Sequence, residues 1–145
     1  MNAVIAVLIV LVGGMAVKNN IEPKNIGVVD GKFYELKNSP NNVSSQTDIK
    51  EKYVEPLKFI DNKEKSYIKI LEILSDYENA KIEKKDENYI HAVFKTKGLK
   101  FKDDVEFYFD ENEKVVHFKS ASRVGYSDMG KNRERYEEIK EKYYK

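Results

Sequence analysis

Residues 88–122 read NYIHAVFKTKGLKFKDDVEFYFDENEKVVHFKSAS, and the spacing of their apolar positions decides the fold class. In 88–96, Ile90, Ala92, Phe94 and Thr96 share one face while Tyr89, His91, Val93 and Lys95 share the other. In 103–109, Val105, Phe107 and Phe109 alternate with Asp104, Glu106 and Tyr108. A period of two over such runs is the mark of a β-strand with one buried face. A weaker strand is predicted before them at 80–85 and another after them at 114–122, with turns at 86–88, 97–98 and 110–113. Connections this short join antiparallel neighbours.

Outward from this stretch the period changes to 3.6. Tyr67, Ile70, Leu71, Leu74 and Tyr77 recur at three and four residue spacing, widened by Ile68 and Ile73, and predict an amphipathic helix over 64–77. Met129, Tyr136, Ile139 and Tyr143 predict a closing helix from 129 or 130 to 144, capped by Ser127 or Asp128 and carrying the i,i+4 pairs Glu138 with Lys142 and Glu141 with Lys145. The expected architecture is α+β, a four-stranded antiparallel meander flanked by two helices in the order α-β-β-β-β-α, with a hydrophobic helix before it. The Lys-rich strand at 80–85 makes a charged sheet edge that resists pairing with another molecule.

That preceding helix comes from 3–17, an unbroken run of apolar and small residues; every charged side chain lies at or beyond Lys18. A helix of about 17 residues reaches roughly 26 Å, against the roughly 30 Å of a bilayer's hydrocarbon core. One reading is a retained single-pass membrane anchor at 1–17. The other is a cleaved secretory signal, with an apolar centre at 3–12 and Gly14 and Ala16 as the small residues before the cut. No Lys or Arg precedes the run, which favours the anchor, and the Gly13-Gly14 pair argues against a soluble core helix. Lys18 and Lys24 pull the remainder towards the cytoplasm, whereas the signal-like small residues argue for export, so both orientations stand. Residues 18–32 read as a tether with Pro23, Gly27 and Gly31, and 33–145 as a single α+β domain.

The whole chain of 145 residues suits one domain. Its 26 Lys and Arg against 25 Asp and Glu leave no basic field to recommend nucleic acid as a partner. Cysteine is absent, which excludes disulfides, thiolate metal sites, a cysteine nucleophile and a lipidated N-terminal cysteine. Neither phosphate-cradling loop, GxxxxGKS/T or GxGxxG, occurs, nor does HExxH, a cysteine cluster or an acidic calcium loop, so no cofactor is expected. The ten tyrosines sit among apolar partners, as core packing requires, rather than forming a base-stacking platform.

Three stretches carry a resemblance: SPNNVSSQ at 39–46 within a turn-rich loop over 36–48, KDDVEF at 102–107, and SASRVGYSDMGKNRERYEEI at 120–139. Over about 33–143 the chain resembles the bacterial and plastid domain of unknown function 1499 family. The resemblance implies a small domain, often attached to or exported across membranes, with no established activity. Asn42 stands where many members resemble PNCVSSQ, so a cysteine-dependent role in that loop does not apply here.

Strand parity places Asp103, Ser120 and Ser122 inward with the aromatic residues, and Asp104, Glu106, Lys119 and Arg123 outward. The plain reading of the outward set is a ladder of ion pairs on a solvated face; the functional one is a patch in which Arg123 grips an anionic group. Asn132 and Arg133 lie beside the apolar stripe of the last helix. They either lock its start to the SPNNVSSQ loop or to Ser120, Ser122 and Asp103, or join Arg123 and the helix amides near Asp128 in a small site for a phosphate or carboxylate. As an enzyme, Arg123 and Arg133 would hold a small or lipid-linked anionic substrate with Asp103, Asp104 or Glu106 as acid/base, but residues alternating on one strand give no reason for separated pKa values. Ser44, Ser45, Ser120 and Ser122 lack a GxSxG elbow, an SxxK motif or a local histidine. His91 and His117, on strands one removed from each other, lie nearly 10 Å apart at the backbone, too far for one zinc. The expected function is a membrane-tethered, non-enzymatic binding domain for a protein or a small anionic ligand, with an enzyme on an anionic substrate and a purely structural subunit as the other readings.

Overall fold

The computed structural model describes residues 2–145. Helix α1 (Ala3–Asn19) is followed by two short strands, β1 (Val28–Val29) and β2 (Lys32–Phe33), then by β3 (Asn42–Ser44), β4 (Leu57–Lys58) and α2 (Lys63–Ser75). Four longer strands follow, β5 (Ala80–Asp86), β6 (Tyr89–Lys95), β7 (Lys102–Asp110) and β8 (Val115–Ser122), and α3 (Lys131–Tyr144) closes the chain. The meander β5-β6-β7-β8 is antiparallel throughout, as predicted, with Phe107 facing Phe118, Glu106 facing Lys119 and His91 facing Glu106 across the strands.

The sheet has six strands rather than the four expected. The free edge of β8 is shared by two short strands, β3 opposite Lys119–Ala121 and β4 opposite Val115–Val116. Runs as short as NVS and LK carry no detectable period, and backbone pairing alone puts them in the sheet. A separate two-stranded ribbon, β1 with β2, turns at Asp30-Gly31, where both residues have positive φ, 52° and 76°. An Asp-Gly pair favours the tight hairpin turn that needs this backbone.

Helices α2 and α3 lie on one face of the sheet. Ile70, Ile73 and Leu74 of α2 and Tyr136, Ile139 and Tyr143 of α3 close over Ile90, Ala92, Phe94, Val105, Phe107, Phe109, Val116 and Phe118 to form the core. Phe118 meets Phe107 edge-on and Tyr136 at a tilt, at centroid distances of 5.4 and 5.3 Å. Asn62 caps α2 by accepting the Lys65 amide, and Asp128 accepts the Asn132 amide at the start of α3. Met129 does not join the α3 stripe: it precedes the helix with φ 54° and is 91% exposed. The buried positions are Asn132, Arg135, Tyr136, Ile139 and Tyr143.

Helix α1 presents Val4, Leu8, Val10 and Val12 to the outside, all more than half exposed. Among the described residues no helix is long and apolar enough to cross a membrane.

Candidate functional site

The second face of the sheet is buried as well. His91, Asp104, Glu106, Lys119 and Arg123 point outward as parity predicts, yet none exceeds 6% exposure. Residues 19–35 run across them. Arg123 donates from Nε and Nη2 to Asp104 Oδ2 and Oδ1, both at 2.8 Å, and from Nη1 to the carbonyl of Asn19. Asp104 Oδ1 also meets His91 Nε2 at 2.8 Å. Glu106 Oε1 accepts from Tyr89 Oη at 2.6 Å and from the Gly27 amide at 2.7 Å, while Lys119 Nζ sits 3.4 Å from Oε2 and donates to the carbonyls of Asn25 and Tyr34. Gly27 reaches Glu106 with φ 116°, a backbone that L side chains rarely adopt.

These charges therefore form the ladder read from the sequence, with the solvent replaced by backbone. An irregular strap brings unpaired amides and carbonyls with it, and under burial each needs a partner. Burial pushes the Asp104 carboxyl up, but the bonds from Arg123 and His91 outweigh it and hold the group below the usual carboxylate range. The same pairing raises Arg123, and burial beside Glu106 pushes the Tyr89 hydroxyl far up.

Between the strap, the end of α1 and the outer face lies a cleft of about 590 Å³. Gly13, Val17, Ile21 and Ile26 give it an apolar wall, and Lys18, Lys24 and Lys37 ring it above a floor that includes Asp104, Lys119 and Arg123. Lys37 Nζ donates to the Ser122 carbonyl at 2.8 Å and meets no carboxylate among the described residues. Burial, together with the like charges of Lys18 and Lys119, holds its ammonium below the usual lysine range despite Asp104 and Asp103. The cleft lining thus sets Lys18, Lys24, Lys37, Lys119 and Arg123 against Glu22 and Asp104, and among the described residues Lys37 is left without a carboxylate contact.

Asp103, Ser120, Ser122, Asp128 and Asn132 gather on the opposite, helix-covered face. Asn132 Nδ2 donates to Ser122 Oγ, to Asp128 Oδ2 and to the carbonyl of Asn41, and its Oδ1 accepts from Ser120 Oγ at 2.5 Å. The arginine in this cluster is Arg135, which donates to Asp103 Oδ2 at 2.8 Å and to Asn132 Oδ1 at 3.0 Å and lies over the Phe94 ring. Arg133 points elsewhere, donating to the backbone carbonyls of Glu51 and Tyr53. The predicted set is divided by the sheet: Asp104, Glu106 and Arg123 on one side, Asp103, Ser120, Ser122, Asp128 and Asn132 on the other, and Arg133 apart from both.

Sequence reasoning passed over Lys37, Arg135 and Gln46. The Gln46 side chain accepts from the Phe33 amide and donates to the Gly31 carbonyl, tying the ribbon to the SPNNVSSQ loop. Asn41 and Asn42 are buried in that loop, and Asn41 Nδ2 holds the carbonyls of Val124 and Gly125. Spacing offered a signal for Arg135 alone, since it stands three residues after Asn132 and one before Tyr136 on the inward side of α3.

No curated protein and no solved structure matches the chain. Its Ser39–Gln46 and Ser120–Ile139 stretches, whose polar residues tie loop, sheet and helix together, fall inside a match over residues 33–142 to the family described as Protein of unknown function (DUF1499), and the chain belongs to that family.

Proposed function

We propose that the protein is a membrane-associated, non-enzymatic binding domain whose cleft receives the anionic head of a lipid-like molecule. The observation that carries this reading is Lys37. It stands in the cleft with a depressed ammonium pKa and without a carboxylate partner, beside a wall made of Gly13, Val17 and Ile21. An anion bound there would relieve the repulsion among Lys18, Lys37 and Lys119, and an attached chain would meet apolar surface. Helix α1, apolar on all sides up to Lys18, embeds in the hydrocarbon and sets the cleft at headgroup depth, where Lys18 and Lys24 suit an anionic surface. Its roughly 26 Å length, from 17 residues at about 1.5 Å each, falls short of a full hydrocarbon core, so it enters the hydrocarbon without crossing it.

Binding is favoured over acid/base chemistry because Asp104 and Glu106 are already engaged by Arg123, His91, Tyr89 and Gly27. The test uses full-length protein in neutral detergent micelles, with short-chain phosphatidic acid as the probe. Added probe is expected to raise the melting temperature, and inorganic phosphate at equal concentration to raise it less. Lys37→Gln is expected to remove the rise while leaving the unliganded melting temperature unchanged. A rise that persists in Lys37→Gln, or no rise in the wild type, would overturn the proposal.

A further inference from the structure

At the hairpin between β7 and β8, Asp110, Glu113 and His117 bring three donor atoms within 4.8 Å of one another. His117 Nε2 lies 3.7 Å from Asp110 Oδ2 and 3.6 Å from Glu113 Oε1. It is buried without a hydrogen-bond partner, on a residue only 5% exposed. A polar nitrogen held so deeply with nothing to bind costs stability, and this one is aimed between two carboxylates.

We infer that these three side chains form a site for a divalent transition metal of the zinc type. Ligand atoms about 2.1 Å from a tetrahedral centre stand about 3.4 Å apart, so the imidazole separations of 3.6 and 3.7 Å need a small contraction, and the exposed Glu113 side chain closes the remaining separation, all within 4.8 Å, around the ion. One imidazole with two carboxylates suits zinc, and three protein ligands leave a fourth position for water.

The local structure prepares each ligand. Asp110 Oδ1 is occupied by the amides of Asn112 and Glu113, at 2.9 and 3.1 Å, which turns Oδ2 towards the imidazole. Asp110 ends β7, and His117 lies diagonally across on β8, where Val115 is the direct partner of Asp110, so both face the same side of the sheet. The other ring nitrogen, Nδ1, lies 3.0 Å from Ser45 Oγ. With a metal on Nε2, Nδ1–H donates to that hydroxyl and fixes the ring, as the outer partners of metal-bound histidines do. A nucleophilic role for Ser45 fits less well: the residue is buried, and its oxygen accepts the Phe118 amide at 2.9 Å.

His91, the other histidine of the chain, takes no part in this set and is held by Asp104. The ligand set lies within one hairpin, at Asp110, Glu113 and His117. Its test is calorimetric titration of the chelator-stripped, full-length protein with zinc chloride. One equivalent is expected to bind, shifting the His117 ring nitrogen resonances. Glu113→Gln, at an exposed position, is expected to weaken binding by about tenfold or more with an unchanged metal-free melting temperature, and His117→Gln to abolish it. No saturable binding, or undiminished affinity in Glu113→Gln, would overturn the site.

Discussion

The two faces of the sheet are buried by different means. On one, helices α2 and α3 bring side chains, and their own backbone groups are already paired within the helix. The face beneath them can therefore be Phe107, Phe118 and Ile90, with polar residues only at the corner where α3 begins. On the other, residues 19–35 bring bare amides and carbonyls, and the face beneath is His91, Asp104, Glu106, Lys119 and Arg123. The kind of cover determines the chemistry of what it covers. A helix asks for apolar partners, whereas an irregular strap asks for side chains that accept and donate, and charged ones satisfy several backbone groups at once.

The sharpest way to break this comparison is to remove one residue from each face. Phe107→Ala leaves a cavity in the core and is expected to cost about 3–5 kcal/mol. Asp104→Ala leaves Arg123 and His91 buried without their shared carboxylate, and a similar cost of about 3–5 kcal/mol is expected from denaturant unfolding. If the strap face were only decoration, Asp104→Ala would cost under about 1 kcal/mol, the scale of a surface ion pair. Acid separates the two faces further. The folded Asp104 carboxyl titrates below its ordinary value, so its stabilisation is complete above the unfolded value near pH 4 and is lost as pH falls through the folded one. Asp104→Asn should flatten the loss of unfolding free energy below about pH 4, and Phe107→Ala should leave that slope unchanged.

A smaller effect tests the polar corner of the helix-covered face. Arg135→Ala removes the partner of Asp103 and one of the donors to Asn132. Asp103 is left buried without its partner, and the expected loss is about 3 kcal/mol, the low end for breaking a buried ion pair, since Arg135 lies at the partly exposed end of the cluster. Arg135→Lys should recover only part of it, since an ammonium cannot serve Asp103 and Asn132 with the same planar fork.

Most of the sheet was legible because alternation in NYIHAVF and VEFYF survives in the sequence whatever covers the strands. Parity also told which residues share a face, and it separated Asp103 from Asp104 correctly. What parity cannot tell is whether a face meets water. Asp104, Glu106, Lys119 and Arg123 have the composition of a solvated face, and their burial depends on residues 19–35, whose Pro23, Gly27 and missing period read as a tether. The Asp30-Gly31 pair was a legible turn signal within that stretch. Strands β3 and β4 were hidden for another reason: two or three residues hold no periodicity, and only the open edge of β8 defines them. Their pairing is a tertiary fact.

Arg133 supplies the smallest effect. It stands beside Asn132 in the stretch that carries the family resemblance, and as an anion ligand it would be expected to matter for binding. Its guanidinium instead donates to the carbonyls of Glu51 and Tyr53 near the surface. Those acceptors are neutral and can turn to water when the side chain is gone, so no buried charge is stranded. Arg133→Ala is therefore expected to cost under about 1 kcal/mol by denaturant unfolding and to leave phosphatidic acid binding intact. Arg123→Ala, one sheet face away, should behave oppositely, because it strands Asp104 and frees the Asn19 carbonyl beneath the strap. Equal losses in the two arginine variants would mean that α3 and the strap are held by one shared network, and the division of labour between the faces would fall.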